Sequence, residues 1–589
     1  MNKMNFQHLP SVVIHNIAHF YKESSRAYYS LHHTQIVAEL GSQQLPFLAV
    51  CQSWRAAVLR DMYSTLKIDL QTHHINSVCF KQCNRLVKIS TRCPETLERQ
   101  HVLRVKVNVD ISQILSGFAL SALCQHPFAE WVFPSCRSLT LHIDCNHSTI
   151  SENSSSSRAK ENVDAFVRQL SKMAPHAGGA KVVFNKTSAI NGILGVFAGQ
   201  LLAHLCRDKR RVLYSADLGI EYSSFKQLHC DKLTHLRFDW DSNHMAFVRL
   251  AQVQSGTLFS LTACSLQVHD LDTLILGSNA EPVIFRNISY LRLVFSKTDG
   301  DFSTRTPIDR ATAIFPNLQT ILIDGEYTLC NDMLFRGDRS ALRQLRLTIN
   351  PRTLDTLCAS GALVRQKYSS LRCVALGATG FHSGTSTQSD KLLQLLTNMS
   401  ACARILDISR MVRHDEASIA PSKLVRGISF GKLGHNLQVL DMGTCELGYF
   451  EMLSVIGAMS HLTDLHCKPL DFESTFSFMP ESKVYQFMSE TFGPLNTNFR
   501  FWRVGAVGTI SMKSLAKMAI MTAIICPNFM FASVAPKNKD EYERHISKAL
   551  GAPETNEYIE RIRPLLCDHY GSSNHCLATR FMEKKTTIF

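Results

Sequence analysis

A recurring six-residue frame constrains this chain more than any other feature. An apolar residue is followed by two others, a second apolar residue, one other, and a third apolar residue. It stands as "LTHLRF" (Leu233, Leu236, Phe238), "ISYLRL" (Ile288, Leu291, Leu293), "LQTILI" (Leu318, Ile321, Ile323) and "LRQLRL" (Leu342, Leu345, Leu347). It continues as "LRCVAL" (Leu371, Val374, Leu376), "ARILDI" (Ala403, Leu406, Ile408), "LQVLDM" (Leu437, Leu440, Met442) and "LTDLHC" (Leu462, Leu465, Cys467). From position 291 to 465 the centres are about 24 to 34 residues apart. A weak copy, "LFSLTA" (Leu258, Leu261), splits the longer gap after 236. Alternation within the frame is that of a strand with one buried face. One such unit cannot bury its apolar side alone, but stacked copies bury it together.

The spacing therefore predicts a leucine-rich-repeat-like solenoid of α/β class, a curved parallel sheet with outer helices, over residues 101–535. Helical periodicity between the strands supports it: Ile111, Ile114, Leu115 and Phe118 in "ISQILSGFALSALCQ" share one face, and "DKLLQLLTNMS" reads similarly. "FPSCRSLTL", "FPNLQTILI" and "CPNFMFASV" place Pro134, Pro316 and Pro527 two residues before an apolar frame, each expected to end a helix ahead of a strand. This explains the uncharged run Met518–Pro536, which imitates a membrane span: split at Pro527 it becomes a buried helix, a turn and a short strand. Residues 71–100 read as a linker and first-strand transition, and 536–589, with "DEYERHISKALGA" and "EYIERIRPLLC", as a helical cap. The serine-rich tract Ser148–Lys160 reads as a surface loop.

Composition narrows the setting. The net charge of +14 permits acidic partners, yet the densest basic run, "RDKRR" at Arg207–Arg211, is short, so nucleic acid is not expected. The 19 cysteines, an odd number without a CxxC pair, suit free thiols in a reducing compartment. Polar and histidine residues interrupt the N-terminal stretch where a secretory signal needs an apolar core, so the cytoplasm or nucleus is expected, with no membrane association. Sequons at Asn153 and Asn185 matter only on a secretory route.

The first seventy residues differ from the rest. In "LPSVVIHNIAHFY" Pro10 suits a first helical turn and Leu9, Val13 and Ile17 recur at four-residue spacing. "LPFLAVCQSWRAAV" aligns Val50, Trp54 and Val58 on one helix face, and "TLKIDL" puts Leu66, Ile68 and Leu70 on one side of a strand. Together these resemble the F-box motif, with its Leu-Pro helix start and its Val-Cys, Trp-Arg ending; matching positions are Leu9, Pro10, Val13, Ile17, Leu48, Val50, Cys51, Trp54 and Arg55. The whole chain resembles divergent fungal F-box proteins with leucine-rich repeats. The resemblance implies an F-box-like helical unit over 1–70 that docks on the S-phase kinase-associated adaptor of a cullin ligase core, while the solenoid holds a protein substrate for ubiquitin-dependent degradation. About two dozen residues separate Tyr21 from Leu45, whereas F-box helices are ordinarily joined by a handful; a surface loop absorbs such an insertion at modest entropic expense. The alternative is a stand-alone interaction scaffold whose F-box-like helices only cap the first strand.

Between frame residues, side chains should line the opposite, concave face. Arg237, Asp239, Arg292, Asp324, Arg346, Asp407, Asp441 and His466 occupy those positions, running from basic to acidic, and are the candidate substrate-binding residues. No phosphate-binding loop, GxSxG elbow or HExxH is present, so neither enzymatic activity nor a cofactor is expected. Two Cys/His groups, Cys567, His569, His575 and Cys576, and His73, His74, Cys79 and Cys83, have spacing poorly suited to tetrahedral closure, so no metal is expected.

Overall fold

A computed structural model describes residues 65–70, 78–82, 85–89, 99–100, 102–124, 131–144, 157–185, 200–201, 204–205, 209–215, 233–239, 245–266, 273–277, 281–295, 313–324, 334, 339–351, 354–355, 369–378, 386–400, 402–411, 427, 436–470, 481–504, 510–533, 539–552, 555 and 558–566. The F-box-like positions Leu9, Pro10, Val13, Ile17, Leu48, Val50, Cys51, Trp54 and Arg55 lie outside these residues. The chain divides into two compact units, Met1–Leu266 and Gln267–Ile588.

The first unit is built on strands β1 (Thr65–Asp69), β2 (Val78–Gln82), β3 (Arg85–Ile89), β4 (Arg104–Asp110), β5 (Ser138–Asp144), β6 (Gly179–Asn185), β7 (Arg211–Ser215), β8 (His235–Asp239) and β9 (Ser260–Leu266). β1 pairs in parallel with β4, and each later strand adds in parallel to the one before. On its other side β1 carries the antiparallel hairpin β2–β3. The stretch 71–100, read as a transition, thus contains two strands, and the parallel array starts at 65 rather than near 101. Leu66, Ile68 and Leu70 are all buried, as the alternation in "TLKIDL" requires.

In the second unit β10 (Tyr290–Phe295), β11 (Thr320–Asp324), β12 (Gln344–Ile349), β13 (Cys373–Ala378), β14 (Ile405–Arg410), β15 (Val439–Leu447), β16 (Asp464–Pro469), β17 (Phe501–Val504) and β18 (Phe531–Ser533) follow one another in sequence order, every pair parallel. The three apolar residues of all eight clear frames are buried, and the central ones stand side by side: Leu291, Ile321, Leu345, Val374, Leu406, Leu440 and Leu465 are consecutive register partners. Burying that row is what stacking achieves and what a single repeat cannot. The architecture is α/β, parallel strands with intervening helices such as Ser157–Met173, Ser386–Ser400 and Tyr449–Ala458.

The helix boundaries obey local chemistry. Asp110 ends β4 and caps the next helix: its carboxylate accepts from Ser112 N at 2.8 Å while Gln113 Oε1 accepts from Asp110 N at 3.3 Å. The run "ISQILSGFALSALCQ" is not one helix but two, Ile111–Leu115 and Phe118–Cys124, broken at Gly117 with φ +82°. That break resets the helical phase, so Phe118, expected inward, is 39% exposed. The false membrane span is the helix Met512–Ile525, a turn, and β18; among the described residues no helix is long and apolar enough to cross a membrane. Its end is satisfied by Arg561, whose Nη1 donates to Ile524 O at 2.7 Å, and the helix Lys539–Leu550 packs against it through Tyr542 and Ile546. Of the three prolines, Pro527 alone stands within two residues of a described helix, Met512–Ile525 with its C-cap Cys526. Residues 131–133 and 313–315 are not helical, so Pro134 and Pro316 sit in turns. The Asn317 side chain holds the second turn, donating to Arg286 O at 2.7 Å.

Candidate functional site

Strand alternation turns residues between frame positions to the other face of the sheet. In the second unit the register aligns one such row, Arg292, Leu322, Arg346, Ala375, Asp407, Asp441, His466, Arg503. Five of the eight candidate residues stand in this row, and Asp324 lies on the same face two positions after Leu322. Arg237 and Asp239 belong to the first unit, in β8, where Arg237 is half-buried.

Asp324 is the hub of the basic end. Its Oδ2 accepts from Arg292 Nη2 at 3.1 Å and its Oδ1 from Arg346 Nη1 at 3.3 Å, with Arg410 Nη1 at 3.7 Å. One carboxylate thus faces three guanidinium groups and leaves the cluster positive. Arg410 was not anticipated, because it lies beyond the frame. A register shift between β13 and β14 pairs it with Gly377, and a Cβ there would stand 3.2 Å from Arg410 Cβ. Next to this cluster Leu322, Cys373, Ala375 and Ile405 form a buried apolar group, with Tyr290 and Val439 packed on it.

At the other end the charges are compensated within the protein. Asp407 and Asp441 are register partners on adjacent strands, and Asp441 is only 2% exposed. Asp407 Oδ1 accepts from Ser409 N at 3.0 Å and Ser409 Oγ at 2.6 Å. Asp441 Oδ1 accepts from Gly443 N at 2.9 Å and from His466 Nδ1 at 2.8 Å. Burial raises the Asp407 carboxyl above its ordinary value and the Asp441 charge pushes the same way, against the Ser409 hydrogen bonds and Arg346. Burial likewise raises Asp464, against Thr463 and Arg503. Lys468 Nζ meets Glu446 Oε1 at 2.7 Å. The row changes from basic to acidic as the sequence suggested, but its acidic half is buried and engaged with its own neighbours.

This geometry can hold charge and shape. Burial pushes the thiols of Cys445, Cys467 and Cys526 up to about 12 and that of Cys136 to about 11, so they stay protonated at neutral pH. Among the described residues no group of three His, Cys, Asp or Glu side chains is placed to hold a metal ion. Of the two Cys/His groups, only Cys79, within β2, falls among those residues. In "RDKRR" Lys209 is buried, which removes it from any surface patch. No family model and no curated protein matches this chain.

Proposed function

We propose that this chain is a non-enzymatic substrate-recognition adaptor of a cullin–RING ubiquitin ligase. The F-box-like segment, centred on Leu9, Pro10, Val50, Cys51, Trp54 and Arg55, docks on the S-phase kinase-associated adaptor, and the leucine-rich-repeat-like array holds a protein substrate. Catalysis belongs to the other ligase subunits; this chain supplies proximity and orientation. The observation that carries the reading is the coexistence of the LP…VCxxWR segment with a stacked parallel array whose frame residues are buried. Trp54 has the residue type that dominates docking energy, a large apolar ring with one polar edge. The reading places the protein in the cytoplasm or nucleus.

Co-purification of the full chain with the ligase adaptor tests it. The wild type should bind and Trp54→Ala should lose binding. Failure of the wild type to bind, or equal binding by Trp54→Ala, ends the docking claim. One observation favours the second reading, a scaffold whose F-box-like helices act as a cap: β1, which immediately follows that segment, is built into the sheet between β2 and β4. Under that reading Trp54→Ala lowers the unfolding temperature of the array and leaves adaptor binding absent in both proteins.

A further inference from the structure

The residue after the first buried position of each frame enters the sheet from a turn. In five successive repeats these are Gln319, Arg343, Arg372, Arg404 and Gln438, following the buried Leu318, Leu342, Leu371, Ala403 and Leu437. Their backbones form a closed ladder. Arg343 N donates to Gln319 O, Arg372 N to Arg343 O, Arg404 N to Arg372 O and Gln438 N to Arg404 O, each at 2.8 Å. The next amide in every strand shares the same carbonyl, at 2.9–3.1 Å. Five side chains are thereby mounted on neighbouring strands, about 4.8 Å apart, and all five are exposed.

The three arginines differ from those around Asp324. Among the described residues, no ion pair or side-chain hydrogen bond engages Arg343, Arg372 or Arg404, and the turns before them (Ser340, Ala341, Ser369, Ser370, Cys402, Asn436) bring no carboxylate. Like charges on adjacent strands repel and destabilise a sheet. A rigid row of exposed guanidinium groups that no described carboxylate engages is complementary to an anionic partner.

We propose that Arg343, Arg372 and Arg404 form a docking edge for an acidic, extended polypeptide segment. This deepens, and rests on, the reading that the array holds a protein. The row spans about 9.6 Å, roughly three residues of extended chain, so a short run of carboxylates suffices. Gln319 and Gln438 flank it with both donors and acceptors, matching a peptide main chain, whereas a phosphodiester offers acceptors alone. Single-stranded nucleic acid binds through aromatic platforms. The described positions continuing this row, Thr463, Arg500 and Met530, add none.

Fluorescence anisotropy with the full chain tests the edge, using labelled hexaglutamate, hexaglutamine and an oligothymidylate of similar length. Hexaglutamate should bind, more weakly as salt rises, and hexaglutamine should not. Arg343→Gln with Arg372→Gln and Arg404→Gln should weaken hexaglutamate binding by about tenfold or more. The triple variant should melt no lower than the wild type, because a repulsion has been removed. A charge-matched control on the exposed face of the helix Ser157–Met173 (Arg158→Gln, Lys160→Gln, Lys172→Gln) should bind like the wild type. Unchanged binding by the triple variant, an equal loss in the control, or capture of oligothymidylate in place of hexaglutamate would overturn the proposal. Arginine-dependent hexaglutamate binding by a chain that fails to co-purify with the ligase adaptor keeps the edge and removes the ligase. Adaptor binding without hexaglutamate binding does the reverse.

Discussion

Gly443→Ala should loosen the acidic end of the charge row more than any surface change of similar size. Gly443 has φ +59°, a left-handed conformation, and its N–H donates to Asp441 Oδ1. It stands where the register between β15 and β16 shifts, after Asp441 and before Glu446. An added Cβ would lie 2.7 Å from Ser409 Cβ and 3.1 Å from Ser409 Cα, on the neighbouring strand β14. The left-handed backbone costs a non-glycine residue about 1–2 kcal/mol, and relieving the clash adds about 1–3 kcal/mol. The sum, about 2–5 kcal/mol, corresponds to amide exchange in the segments 405–411 and 439–447 accelerated roughly 30- to 5,000-fold where local opening controls exchange. Hydrogen exchange read by mass spectrometry on peptides covering those segments measures this directly. Repeating the substitution in a Ser409→Gly chain separates the two contributions: the clash at Cβ disappears, the backbone strain does not, and the penalty should shrink by about 1–3 kcal/mol. Equal exchange in wild type and Gly443→Ala, or strict additivity of the two substitutions, would refute the close approach of β14 and β15 at this point.

Three further outcomes follow from buried charge. Burial, with Arg211 beside it, pushes His235 down from 6.5 to about 4, so the folded chain holds it neutral while the unfolded chain protonates first. Its contribution is intact above pH 6.5 and lost as the pH falls toward 4; urea midpoints across that window should fall less in His235→Gln than in the wild type. Asp407 shifts the opposite way, so its protonated form favours folding below the unfolded carboxyl value of 3.8 and that contribution disappears as the pH rises through the raised folded value. Asp407→Asn, which keeps an acceptor for Ser409, should therefore raise the unfolding midpoint at pH 7, and a lowered midpoint would contradict the burial argument. Arg339, 1% exposed, donates from Nε to Leu334 O at 3.0 Å and from Nη1 to Phe315 O at 2.7 Å. Arg339→Met takes a donor away from both carbonyls and should cost about 2–4 kcal/mol in urea unfolding, with Arg339→Lys giving little rescue because it lacks the planar fork.

The frame was legible because its period is a physical demand: Leu345 and Val374 must be apolar to bury the row on which the repeats stack. Strand parity was legible for the same reason, which is why Arg292, Arg346 and His466 fall on the face opposite the frame. Features set by single backbone torsions were not. Gly117 splits one apparent helix and turns Phe118 outward, and nothing in the spacing of Ile111, Ile114 and Leu115 distinguishes a glycine tolerated in a helix from one at φ +82°. The hairpin β2–β3 was hidden because "VCFKQCNRLVKI" has neither the frame nor a two-residue glycine turn.

Charge pairing needed one more piece of information, the lateral register, and the repeats supply it in a simple way. The sequence between successive frames varies in length by several residues, yet the central frame residues from Leu291 to Leu465 remain strict neighbours. The segments between frames differ in length, while the buried row tolerates no slip, because a one-residue shift would turn an apolar side chain to the wrong face. Frame position alone therefore identifies lateral neighbours: Asp407 and Asp441 are both fifth in their frames, and Arg343, Arg372 and Arg404 are all second. Read that way, the arginine row was present in the sequence, and only Arg410, carried past the end of its frame by a register shift, required coordinates to find.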